Sequence, residues 1–253
     1  IEKYTTRKQV RILGLYVGMW IAFIVMIVVN FLSNYLPING QTTAEISNRI
    51  EVLFTPASYV FSIWGLIYFL LLVWLILQYK SIKNNEFSSQ IGVLFVFSCL
   101  FNIAWLFSWH YEQFALSVLF MILLLVTLIL IYVKYPNTAQ GLPERLPFSF
   151  YLAWITVATI VNISYVLKYY GVDLGISEAV GSLVLVAVAV VIGYLALENS
   201  KDIYFVLVIV WALIGIVVKT SNTTMQNGTL IMTIILIIAA LAQLMINRKT
   251  QRA

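Results

Sequence analysis

Three stripes of aromatic and amide side chains hold the groups in this sequence best placed to do chemistry. Trp64 and Tyr68 stand four residues apart in an apolar run. A helix stacks them on one face, each with a polar tip that needs a partner. Ser98, Asn102, Trp105 and Trp109 follow one another at helical intervals along a second run. Tyr151, Trp154, Ala158, Asn162 and Tyr165 fall within about 80° of one another at 100° per residue, and the small Ala158 leaves room between its larger neighbours. Indoles and phenols offer flat stacking walls with a polar edge, and carboxamides offer both donors and acceptors. Such a set suits a flat apolar ligand with a polar rim. The sequence shows no metal-ligand spacing, no nucleophile–base arrangement and no buried carboxylate pair, so no enzymatic site is expected. Its only histidine, His110, falls at a span end beside Glu112 and reads as a solvated rim residue.

The elements that must position these stripes are membrane helices. Hydrophobic residues make up 62% of the chain and charged residues 10%, far below the roughly 25% charge of soluble domains. Mean hydropathy is +0.97. An all-α integral membrane protein with about eight spans is predicted, near 12–32, 57–79, 91–109, 114–133, 148–167, 177–197, 203–218 and 229–246, the seventh being short. The second span, reached through Pro56, carries Trp64, Tyr68 and Trp74. Pro56 is expected in its first helical turn, where a missing N–H costs nothing. Gly141, Gly171 and Gly228 are expected in connections. Gly14 and Gly18 give the first span a GxxxG spacing, read as ordinary packing within the chain.

Charge sets the orientation. With the N-terminus cytoplasmic, only Arg49, Lys168 and Lys219 of the 15 basic residues fall in outside segments. The net charge of +5 therefore reflects topology, with Arg248–Arg252 placed to meet anionic lipid headgroups, and calls for no nucleic acid. No ionisable carboxylate or amine lies mid-span, which argues against an ion-coupled pump. Residues 33–56 form the longest outside loop, and TTAEISNRIEVLF within it predicts a short interfacial helix. The turn His110–Gln113 is so short that the third and fourth spans must be antiparallel neighbours. Asn102, deep in a span, must hydrogen-bond a neighbouring helix, water or a ligand. Spans six to eight are rich in Val, Ile, Leu and Ala and present no comparable stripe.

With these residues in view, the first five spans resemble the TspO/MBR family, the translocator proteins and tryptophan-rich sensory proteins. Its second helix opens on a Pro-Pro turn with Trp eight residues after the second Pro and Tyr four later, intervals kept by Pro56, Trp64 and Tyr68. Its third helix carries Asn-x-x-Trp, matched by Asn102 and Trp105. Its fifth carries Tyr-Leu-x-Trp with Ala and Asn at +4 and +8 from the Trp, matched by Tyr151, Leu152, Trp154, Ala158 and Asn162. The chain departs from the pattern at Thr55, Phe61, Leu106 and Phe150, and residues 33–56 lack the family's tryptophan-rich first loop. The resemblance covers about residues 10–170 and leaves the last three spans outside.

It implies a five-helix core (1–170) with an internal hydrophobic pocket, extended here by a three-helix segment (171–253), and often a homodimer. It also implies a bound tetrapyrrole such as a porphyrin, or a lipid-like molecule, and a place in stress signalling or transport. No cofactor is required. In that reading Trp64, Trp105 and Trp154 are stacking walls and Tyr68, Asn102, Tyr151 and Asn162 bond the ligand, with Trp109, Ala158 and Tyr165 completing the lining. The alternatives are a facilitative transporter or channel, or a regulatory subunit docking a membrane partner through spans six to eight. A bacterial inner membrane with both termini cytoplasmic suits the loop composition and the charge bias.

Overall fold

Hydrocarbon offers no partner for a bare peptide group, so a chain this apolar must close its backbone bonds within helices or a closed barrel. The computed structural model describes residues 2–36, 38–136, 141–173 and 175–250, with side chains for 9–36, 38–136, 141, 143–173 and 175–246. The side chains of Lys3, Arg7, Lys8 and Arg248–Arg252 lie outside that set. The described residues form nine α-helices and no strand. In order these are α1 (Glu2–Tyr35), α2 (Thr43–Arg49), α3 (Ile63–Lys83), α4 (Ser89–His110), α5 (Phe114–Tyr132), α6 (Leu142–Tyr169), α7 (Glu178–Ser200), α8 (Ile203–Lys219) and α9 (Thr223–Thr250). Seven of them are long and apolar enough to cross a membrane, while α8 is apolar but has 17 residues, the lower limit for a span.

Residue contacts divide the chain into two units. The first comprises the described residues of Ile1–Ile46, Gly65–Pro136 and Gln140–Phe148. The second comprises those of Ser47–Trp64 and Ser149–Ala253. In the first unit α4 packs against both α1 and α5. The turn between α4 and α5 holds Glu112 at φ 57°, a conformation that reverses the chain within three residues. In the second unit α7, α8 and α9 pack pairwise, and α8 also meets the 3₁₀ turn Ser58–Ser62.

Local chemistry fixes the boundaries. The loop helix α2 starts on a capping box: the Thr42 backbone N–H donates to Glu45 Oε2 at 2.7 Å, and the Glu45 N–H donates to Thr42 Oγ1 at 3.2 Å. Hydrogen bonds from the Thr42 backbone and then its hydroxyl hold the Glu45 carboxyl below the usual carboxylate range. The box is therefore intact above that range and opens as pH falls through the lowered value. Between α7 and α8 the chain turns on two residues. Lys201 takes φ 48°, and Asp202 caps α8 by accepting from the N–H groups of Tyr204 and Phe205 at 3.1 Å each. The other Asp202 oxygen accepts from the Ser149 hydroxyl at 2.6 Å, so this buried carboxylate is met on both sides.

Four expectations need correction. Pro56 does not open α3; the 3₁₀ turn Ser58–Ser62 intervenes, because Ala57 is extended with its N–H donated to the Gly215 carbonyl at 3.1 Å. Gly228 lies inside α9 rather than in a connection, since a Cβ there would come within 2.5 Å of Leu183 Cδ2 on α7. A Cβ on Gly14 or Gly18 would meet nothing within 4 Å, so among the described residues their spacing serves no close helix approach. His110 is not solvated but fully buried.

Gly215 has the tightest constraint of any glycine: a Cβ would lie 2.2 Å from Val60 Cγ2 and 3.1 Å from Pro56 Cβ. Gly215→Ala should lower the unfolding midpoint in detergent by an amount equivalent to about 1–3 kcal/mol, the usual cost of overpacking. Gly18→Ala, facing open space, should leave it unchanged within the error of a thermal-shift measurement.

Candidate functional site

Helix α6 presents the longest of the three stripes. Tyr151, Trp154, Asn162 and Tyr165 are all buried, and Ala158 is half-buried between them. Trp154 is the hub of an edge-to-face cluster within the second unit. Its ring centroid lies 5.6 Å from Phe61 and 6.2 Å from Trp64, with interplanar angles of 86° to both. Trp64 in turn meets Tyr151 at 5.8 Å and 70°. These are the preferred aromatic geometries, in which ring edges point at π faces. Trp64 sits in the first turn of α3 and is half-buried. The cluster therefore forms where the 3₁₀ turn delivers the chain to that helix. Within it the Trp154 indole N–H is buried and finds no acceptor among the described residues. An unmet donor of this kind costs about 1–3 kcal/mol.

The first unit holds the remaining predicted residues. On α4, Ser98, Asn102 and Trp109 are buried and Trp105 is half-buried, as one helical stripe requires. Trp105 and Trp109 stack at 6.1 Å and 23°, and Trp109 meets Phe114 edge-on at 5.2 Å. Asn102 finds a partner on a neighbouring helix: Asn30 Nδ2 on α1 donates to Asn102 Oδ1 at 2.8 Å and is shared with the Met26 carbonyl at 2.9 Å. Tyr68 is half-buried one turn beyond Trp64. The deeply buried positions of α3 are instead Ile67, Leu71, Trp74, Leu75 and Gln78, a stripe beside the predicted aromatic pair.

His110 ties the loop between α1 and α3 to the end of α4. Its Nδ1 lies 3.1 Å from the Ile38 carbonyl and therefore carries the proton, which leaves Nε2 to accept from the Thr43 hydroxyl at 3.0 Å. Asn39 Nδ2 donates to the His110 carbonyl at 3.0 Å. A histidine with both ring nitrogens engaged by the loop is a structural clasp.

Three polar residues escaped the sequence reading. Asn30 and Gln78 are lone amides in apolar runs, a signal that was there to be weighed. Tyr135 accepts from the buried Trp74 indole N–H at 2.9 Å across 61 residues, and nothing in its own neighbourhood marks that pairing.

Seven long apolar helices among the described residues, with aromatic and amide stripes buried on them, define an all-α integral membrane protein. The TSPO-like protein family model matches residues 16–247, and the chain belongs to that family. Membership of that family suggests a ligand-binding or transport role in the membrane. The match extends through α7, α8 and most of α9, which the sequence reading had left outside the resemblance. No curated protein and no solved structure matched the chain.

The Asn30–Asn102 bond should show as coupling. Asn30→Leu and Asn102→Leu each remove one side of this bond, and the double variant removes both. A double-mutant cycle on unfolding in detergent should give a coupling of about 0.6–2 kcal/mol, in the range of interhelical bonds in membranes.

Proposed function

We propose that the protein binds a flat hydrophobic ligand within the membrane, a tetrapyrrole or a lipid-like molecule, and carries or senses it without transforming it. The observation that supports this reading best is the Trp154 indole N–H, buried in the cluster with Phe61 and Trp64 and with no acceptor among the described residues. A ligand oxygen or ring nitrogen seated against that cluster supplies the acceptor, and the rings supply stacking faces. The aliphatic faces of α7 and α9 suit lipid or a membrane partner, and a homodimer is equally compatible with them. The charge bias favours cytoplasmic termini, and the loop composition suits a bacterial inner membrane.

Trp154→Phe separates the two contributions, because it keeps the ring and removes the donor. Protoporphyrin IX titrated into the detergent-purified protein should quench tryptophan fluorescence saturably at micromolar concentration. Trp154→Phe should weaken binding about 5–30-fold, the equivalent of one hydrogen bond, with the unfolding midpoint held or raised. Trp154→Ala should weaken it further. Unsaturable quenching, the same in both variants, would remove this reading and favour a regulatory subunit.

A further inference from the structure

The first unit has a polar cleft of its own. The last turn of α3, the start of α4, the residues just after α5 and the first turn of α6 enclose a cleft of about 360 Å³. Its lining is polar: Gln78, Ser81, Glu86, Ser88, Lys134, Tyr135 and Glu144 all face it.

Two donors there lack an acceptor among the described residues. Gln78 is 5% exposed and its Nε2 finds no acceptor among the described residues. Tyr135 receives the Trp74 indole N–H at its oxygen, which leaves its own O–H without an acceptor among the described residues. That phenol stays protonated. Burial pushes it above its ordinary value against the pull of the Trp74 bond, and the charge of Glu144 adds to the rise. Lys134 stands at the mouth, its Nζ donating to Gln90 Oε1 at 2.9 Å. The carboxyl groups of Glu86 and Glu144 line the same cleft.

The two sets of charges decide what fits. A bare anion would satisfy Gln78, Tyr135 and Lys134 but would meet two carboxylates. A bare cation would satisfy the carboxylates and leave both buried donors stranded, at about 1–3 kcal/mol each. A ligand that carries an anionic oxygen cluster and an ammonium a few bonds apart answers every group. From these residues we infer that the cleft binds a zwitterionic phospho-ammonium group, with the phosphate at Gln78, Tyr135 and Lys134 and the ammonium at Glu86 and Glu144. The volume suits such a group. Depth favours a lipid as its source: Gln78 stands five residues from the end of α3, about 7.5 Å at 1.5 Å per residue, near the level of headgroups. All four helix ends lie on the side that the basic residues assign to the cytoplasm.

The test uses the full-length protein in nanodiscs of phosphatidylethanolamine mixed equally with phosphatidylglycerol. The protein is released into detergent, and retained lipid is identified by native mass spectrometry. In parallel, calorimetry measures binding of soluble glycerophosphoethanolamine. One phosphatidylethanolamine should be retained per chain, at least tenfold over phosphatidylglycerol, and Gln78→Leu and Glu144→Gln should each reduce that preference at least fivefold. Glu86→Gln alters an exposed side chain and keeps the test decisive should Gln78→Leu fail to fold. Retention of the lipid with no response to the soluble headgroup assigns the lipid as the source, and binding of both assigns the headgroup alone. Equal retention of the two lipids with no calorimetric signal, or a preference that survives all three substitutions, overturns the proposal.

Discussion

The constraint on which this structure depends is that a polar atom inside a membrane must find its partner within the protein. The helices answer it for the backbone, and a few long-range side-chain bonds answer it for the rest. Asn30 meets Asn102 across 72 residues of sequence, and Trp74 meets Tyr135 across 61. Ser149 meets Asp202 across 53. Packing in hydrocarbon has little hydrophobic drive to draw on, because lipid tails are as apolar as leucine. These bonds and the close approach at Gly215 and Gly228 therefore carry much of the specificity of helix pairing.

The same rule gives meaning to its exceptions. Trp154 Nε1 and Gln78 Nε2 are buried donors with no acceptor among the described residues. The first stands among aromatic rings and the second faces a polar cleft at the helix ends. Each environment describes the ligand that would complete it. The two descriptions differ, one flat and apolar, the other small and zwitterionic, so the sites need not share an occupant.

Much of the fold was legible. Unbroken apolar runs about 20 residues long locate the spans, since a helix needs that length to cross the hydrocarbon core and a barrel strand only about half of it. The stripe on α6 is read directly from its spacing, because Tyr151, Trp154, Asn162 and Tyr165 point one way on any helix and are all buried. What could not be read was pairing. Asn102 announced that it needed a partner without saying that Asn30 would supply it. His110 looked like a rim residue because its burial depends on Ile38, Asn39 and Thr43, more than 65 residues away. Pro56 was expected inside the helix, but the bond from Ala57 to Gly215 holds the chain extended there, and only tertiary structure creates that bond.

The most direct test of a ligand seated against the α6 cluster is to map where it touches. A photoreactive tetrapyrrole analogue, irradiated with the protein in nanodiscs and followed by peptide mass spectrometry, reports contact residue by residue. Adducts concentrated on Trp64, Tyr151 and Trp154, and displaced by unlabelled protoporphyrin IX, are the predicted result. Adducts spread over outward-facing positions such as Val188 and Ile235, unaffected by competitor, would contradict it.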